Sequence, residues 1–185
     1  LAGCDLVIEA IIEQLEPKRA LFQRLEQLLA DHTIIASNTS GIPINRLTEG
    51  RSASFRTRFL GMHFFNPPRY LHLLEMIPTT ETSTETTDAA RRFSDRILGK
   101  GIIVAKDVPG FVANRLGVFG MVLAIRLMEK HGLTIDEADV LTGVLTGRSK
   151  SATYRTADLS GIDVIAHVTK GLSETTGEDF SLSSW

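Results

Sequence analysis

Short apolar runs separated by a helical pattern constrain this chain most. Asp5-Leu6-Val7-Ile8-Glu9-Ala10 reads as a short strand, apolar on both faces as in a parallel sheet. Glu16-Pro17 opens a helix, with Pro expected at the first helical position, where its missing N–H does no harm. Leu21, Phe22, Leu25, Leu28 and Leu29 recur at helical spacing, and Arg19, Gln23, Arg24, Glu26 and Gln27 fill the other side. Asp31-His32 ends that helix, and Thr33 to Ala36 is a second strand. Strand, helix, strand is the βαβ unit of a parallel sheet. Pro43 to Leu47 reads as one or two helical turns, and Arg51 to Arg58 as a polar loop. Phe59 to Ile77 supplies two more strands. Thr82-Ser83-Thr84-Glu85 starts a helix with a hydroxyl cap, and Ile102 to Ala105 is a last strand.

The pattern changes at Asp107-Val108-Pro109-Gly110, beyond which no strand-like run occurs. The expectation is an α/β unit over 1–107 followed by an all-α unit over 108–185. Asn114 to His131 reads as a long helix apolar on two sides. Leu116, Phe119, Leu123 and Leu127 line one side; Val118, Met121, Val122, Ile125 and Met128 line another. Such a helix is covered twice, by its own unit and by a partner subunit, which points to a homodimer. Thr134 with Glu137 forms a capping-box pattern for a helix from Ile135 to Leu145. A polar stretch, Gly147 to Thr156, follows, and a third helix, interrupted or offset by Gly161, runs from Asp158 to Ser173. The end, from Thr175, is polar apart from Phe180, Leu182 and Trp185.

Composition excludes several classes. Twenty Lys+Arg stand against 22 Asp+Glu with no basic block, so no nucleic-acid partner is expected. No apolar run approaches the roughly 18 residues of a membrane span. Cys4 is the single cysteine, which rules out an internal disulfide and a Cys-based zinc site and suits a reducing, cytoplasmic compartment. The chain begins with Leu and enters a strand within five residues, without signal-peptide character. That start reads as part of a longer protein.

Three polar features punctuate the apolar surroundings. Ser37-Asn38-Thr39-Ser40-Gly41 follows a strand at its carboxyl end, where open α/β sheets bind ligands. The same residues also form ordinary turns. In the stretch Gly61 to Glu75, GMHFFNPPRYLHLLE, an apolar run ends in His63. Asn66-Pro67-Pro68 breaks it, and a second run carries Glu75. A histidine held by a carboxylate is a general acid/base arrangement. Taken singly, His63 also fits a core histidine and Glu75 a solvated strand face. Asn114, at the head of the long helix, fits a polar ligand contact or a cap. His72 and Glu75 lie three positions apart and so face opposite sides of a strand, which argues against a metal site.

Together DLVIEAIIE, IIASNTSGIPI, FLGMHFFNPP, LLEMI, DVPGFVANRL and DLSGIDV resemble the L-3-hydroxyacyl-CoA dehydrogenase family, in that family's order, from about Asp5 to about Val168. GMHFFNP and PGFVANR carry the specificity. The resemblance implies a Rossmann-type NAD-binding domain followed by a helical domain that holds a dimer together. It also implies NAD-dependent oxidation of an L-3-hydroxyacyl-CoA thioester to the 3-oxoacyl-CoA, as in fatty-acid β-oxidation. His63 matches the catalytic histidine and Glu75 its carboxylate partner. Ser40 and Asn114 match residues that bond the substrate oxygen. Glu13, Lys18, Ser40 and Asn66, with Asn38 beside them, fall where the family contacts NAD.

Two departures stand out. The G-x-G-x-x-G turn that follows the family's first strand does not occur, so residues 1–107 read as the carboxyl-terminal part of the NAD-binding domain. GRSKSATYRTAD, Gly147 to Asp158, looks like the version in long multifunctional members that also carry an enoyl-CoA hydratase region. Two alternatives stay open: a catalytically incomplete fragment serving only helical association, or a related dehydrogenase of 3-hydroxy acids without CoA.

Overall fold

The structure, a computed structural model, describes residues 3–181; Leu182 and Trp185 lie outside them. The chain divides between Val112 and Ala113 into two compact units.

The first unit is built on a five-stranded sheet in the order β1 (Leu6–Glu9), β2 (Ile34–Ser37), β3 (Phe59–Phe64), β4 (Leu73–Pro78), β5 (Gly101–Val104). β1, β2 and β3 run parallel, β4 runs antiparallel to β3, and β5 runs parallel to β4. Strand side chains alternate between faces, and the core follows that alternation. Ile35, Phe59 and Ile77 pack with Phe22 and Leu25 of α1 (Leu15–Leu28), Ile44 and Leu47 of α2 (Ile44–Leu47) and Phe55 of α3 (Ala53–Thr57). Their neighbours Ala36, Leu60 and Met76 form a second cluster with Met62, Leu74 and Ala90 of α4 (Thr84–Arg96). The sheet is therefore covered on both faces, as the apolar strands require.

Three local readings are corrected. Arg51 to Arg58 is not a loop throughout: the Ser52 side chain accepts from the Phe55 N–H and starts α3, which buries Phe55 completely. Pro17 is the third residue of α1, still within the first turn, whose N–H groups have no partner inside the helix. Asp31-His32 lies beyond the end of α1, whose last residue is Leu28, itself exposed. The Ser83 cap on α4 is formed.

The second unit has no strand among its described residues. α5 (Ala113–His131) buries Val122, Ile125 and Met128. Leu116, Phe119, Leu123 and Leu127 form a stripe on its other side and are 65, 56, 44 and 44 % exposed. α6 (Ile135–Thr142) carries the full Thr134/Glu137 capping box and stops earlier than the sequence suggested, giving way to a 3-10 turn at Val144–Thr146. The helix expected from Asp158 to Ser173 is interrupted at Gly161 and longer at both ends: α7 (Tyr154–Ser160) starts inside the expected polar stretch, and α8 (Ile162–Thr176) runs past Ser173. The Asp139 carboxylate accepts from the N–H groups of Thr153, Tyr154 and Arg155, closing the entry to α7.

Candidate active site

Strand register places the polar residues of the first unit. His63 lies directly opposite Glu75 across the β3–β4 pair. His63 shares its face with Phe59, and Glu75 shares its face with Ile77, so both point into the α1 side of the sheet. The His63 Nδ1 meets Glu75 Oε2 at 2.7 Å, with His63 4 % and Glu75 0 % exposed. With the carboxylate ionised, Nδ1 carries the proton and donates it, which leaves Nε2 as the basic nitrogen.

Two further features hold this pair. The imidazole lies between the rings of Phe65 and Phe111, with centroids at 4.5 and 5.7 Å. Gly110 and Phe111 both adopt positive φ, 71° and 45°, and the turn brings the Val112 N–H to Glu75 Oε1 at 2.9 Å. Positive φ is uncommon outside glycine. Each Glu75 oxygen thus has a donor, and the oxygen facing His63 is fixed by the one that does not. The reading of Glu75 as a solvated strand residue is overturned.

A second cluster sits at the carboxyl ends of β1 and β2. Glu9 lies opposite Ser37 in the register, and its Oε2 accepts from the Ser37 hydroxyl at 2.6 Å. Its Oε1 accepts from Lys18 Nζ at 2.7 Å and from the Ile11 N–H at 2.6 Å. Lys18, 1 % exposed, also reaches Glu13 at 3.3 Å. Glu13 then gathers the loop after β2, accepting from the Thr39 hydroxyl at 2.5 Å, the Ser40 N–H at 2.8 Å and the Gly41 N–H at 3.1 Å. Burial pushes the Glu13 carboxyl up. The bonds from Thr39 and Ser40, the Lys18 charge and the Gly41 N–H outweigh it, so the net shift is downward.

The expected residues divide as follows. His63 and Glu75 form one cluster; Glu13, Lys18 and the Ser40 loop form the other. Asn38 joins β2 to the His63 strand, because its Oδ1 accepts from the Phe64 N–H at 2.8 Å. Asn66 is exposed just past β3, and its peptide bond to Pro67 is cis. Asn114 is the second residue of α5, half-buried, and belongs to the second unit. His72 is exposed, and no group of metal-ligating side chains occurs among the described residues. Sequence reasoning missed Glu9 and the Val112 N–H, and it named Ser37 and Thr39 only as members of the polar loop after β2. Glu9 left a signal, as an acid inside an otherwise apolar strand.

The exposed parts of the second cluster suit the sugar end of a dinucleotide. Glu13, with its side chain 45 % exposed and its carboxyl biased towards the ionised form, can accept from ribose hydroxyls. Ser40 and Asn66 are exposed at neighbouring strand ends.

Residues 1–108 match the family model described as "3-hydroxyacyl-CoA dehydrogenase, NAD binding domain", and residues 110–184 match "3-hydroxyacyl-CoA dehydrogenase, C-terminal domain". A probable 3-hydroxyacyl-CoA dehydrogenase of Deinococcus radiodurans is 53 % identical over 185 residues, 99 % of this chain and 54 % of that protein. The mitochondrial hydroxyacyl-coenzyme A dehydrogenase of Homo sapiens is 37 % identical over 175 residues, 95 % of this chain and 54 % of that protein. The chain therefore spans about half the length of these curated relatives. Among solved structures, the (S)-3-hydroxybutyryl-CoA dehydrogenase of Ralstonia eutropha superposes with a TM-score of 0.83 at 30 % identity, covering 97 % of this chain and 62 % of that one. No helix among the described residues is long and apolar enough to cross a membrane. From its first strand to its last helix, this chain belongs to the 3-hydroxyacyl-CoA dehydrogenase family.

Proposed function

We propose that the full-length protein oxidises an L-3-hydroxyacyl-CoA thioester to the 3-oxoacyl-CoA in fatty-acid β-oxidation. NAD supplies the hydride acceptor. His63 takes the proton of the 3-hydroxyl on Nε2, and Glu75 holds the ring's tautomer and stabilises the imidazolium that forms. Ser40 and Asn114 are assigned to the substrate oxygen. Glu13, Lys18, Ser40 and Asn66, with Asn38 beside them, are assigned to the cofactor. Residues 1–107 supply the carboxyl-terminal part of the NAD-binding domain and residues 108–185 the helical domain.

The observation that carries this reading is the buried His63–Glu75 pair, with Nδ1 committed to the carboxylate at 2.7 Å. The exposed stripe on α5 supports a homodimer, with a second copy of the chain covering Leu116, Phe119, Leu123 and Leu127. The single cysteine supports a reducing, cytoplasmic compartment. The test is NAD reduction by the full-length protein with a 3-hydroxyacyl-CoA thioester and with the corresponding free acid. Turnover of the thioester well above that of the acid is expected. Equal turnover would point to the dehydrogenases of 3-hydroxy acids without CoA, and no turnover of either would refute the reading.

The stripe also favours a second reading for residues 1–185 taken alone, as a unit that associates without catalysing. NADH titration of these residues separates the two readings. Dimerisation without binding supports the second, and tight binding refutes it.

A further inference from the structure

Glu9 has no part in the reaction just described, yet it is a buried carboxylate with three donors at the strand ends. It is 3 % exposed. Lys18, Ser37 and the Ile11 N–H all donate to it at 2.6–2.7 Å. An acid so buried persists as an anion only where charge and hydrogen bonds compensate its lost hydration. Here the compensating cation is Lys18, which is just as deeply buried.

Lys18 has three N–H donors and three oxygen acceptors in reach: Glu9 Oε1 at 2.7 Å, the Ile11 carbonyl at 3.2 Å and Glu13 Oε2 at 3.3 Å. With 1 % of its surface exposed, Lys18 links the two carboxylates from beneath the loop. Glu13 is the one member of this chain of charges that reaches solvent, and its other oxygen holds Thr39, Ser40 and Gly41. The chain of contacts runs from Glu9 through Lys18 to Glu13 and ends on the Ser40 loop.

We propose that Glu9 is a positioning residue for the cofactor site: with Lys18 as its relay, it sets the Glu13 carboxylate and the Thr39–Gly41 loop in the geometry that receives the cofactor's ribose. This rests on the assignment of Glu13 and Ser40 to NAD. Glu9 also anchors Ser37 at the end of β2, so both strands that flank the loop are fixed by one carboxylate. Replacing it with a neutral group leaves Glu13 as the one anion beside Lys18, with the Ile11 carbonyl its other acceptor, and draws the Glu13 side chain inward. A displaced Glu13 meets the ribose less well, so the cofactor binds more weakly, while His63 and Glu75, in a separate cluster, keep their geometry.

The test measures NADH affinity and steady-state kinetics on the full-length protein and its Glu9→Gln, Lys18→Met, double and Glu13→Gln variants, well below each melting temperature. Glu9→Gln is expected to weaken NADH binding about tenfold, with turnover at saturating NAD within about twofold of the parent. The double variant is expected to bind no more weakly than Lys18→Met alone, because both substitutions break one path. A role confined to stability would lower the melting temperature and leave NADH affinity unchanged. Additive losses, or unchanged affinity in Glu9→Gln while Glu13→Gln binds weakly, would overturn the inference and leave the cofactor assignment standing. Unchanged affinity in every variant would remove the cofactor assignment as well. If Glu9→Gln does not fold, Ser37→Ala is read in its place: a weakening of about threefold is expected, and none overturns the proposal.

Discussion

Glu13 is held below the ordinary carboxylate value, and this makes the Thr39–Gly41 loop sensitive to acid. Burial works against the anion, and the bonds from Thr39 and Ser40, the Lys18 charge and the Gly41 N–H work for it more strongly. A carboxyl whose value is depressed in the folded protein contributes stability that is fully present above its unfolded value. That contribution is lost as pH falls through the lower folded value. The ordinary value is 4.5, so the loss begins below it. Hydrogen exchange at the Ser40 and Gly41 amides is expected to show protection at neutral pH that declines on acidification below that point. In Glu13→Gln the protection should be weaker throughout and free of this decline. Persistent protection of the parent in strong acid would mean that the loop is held by something other than the Glu13 anion. At this scale the sequence carried the His63–Glu75 pair only through motif order, since alternation alone allowed Glu75 to face solvent. The Glu9–Lys18 pair was not legible at all. It depends on the register that sets Glu9 opposite Ser37 and on the packing of α1 over that row.

Among the elements, β3 is closely packed at Gly61. A Cβ at Gly61 would lie 2.7 Å from Ile44 Cδ1 and 3.0 Å from Ile77 Cβ, so α2 sits on β3 at the distance glycine allows. Gly61→Ala is expected to lower stability by about 1–3 kcal/mol through overpacking, read as a lower denaturant midpoint. Because His63 is two residues along the same face, the variant should also lose turnover. Unchanged stability would show that Ile44 yields without cost. The strands and the longer helices were legible because apolar spacing repeats over several turns or alternates cleanly. α3 was not: it is short, its one fully buried side chain is Phe55, and a single apolar residue has no period. The ends of α1 and α6 were misplaced because apolar residues continue past them, Leu29 after α1 and Val144 and Leu145 after α6.

For the whole molecule, the sequence pattern changes from strands to helices at Asp107–Gly110, and the chain divides into two compact units between Val112 and Ala113. The two-sided character of α5 was legible as well, because Val122, Ile125 and Met128 repeat on one side and the exposed stripe on the other. A charge in that stripe tests what covers it. Leu123→Glu is expected to turn a dimer into a monomer in sedimentation, with the helical content of the second unit kept. A monomeric parent, or a variant that still dimerises, would remove the stripe from the interface. The central claim concerns His63, and a pair of measurements on one variant tests it. In the full-length protein, His63→Gln is expected to lower turnover by about two to four orders of magnitude, the contribution of a positioned general base. Its NADH dissociation constant should stay within about threefold of the parent's. Turnover retained at a level near the parent's would contradict the assignment of His63 as the base.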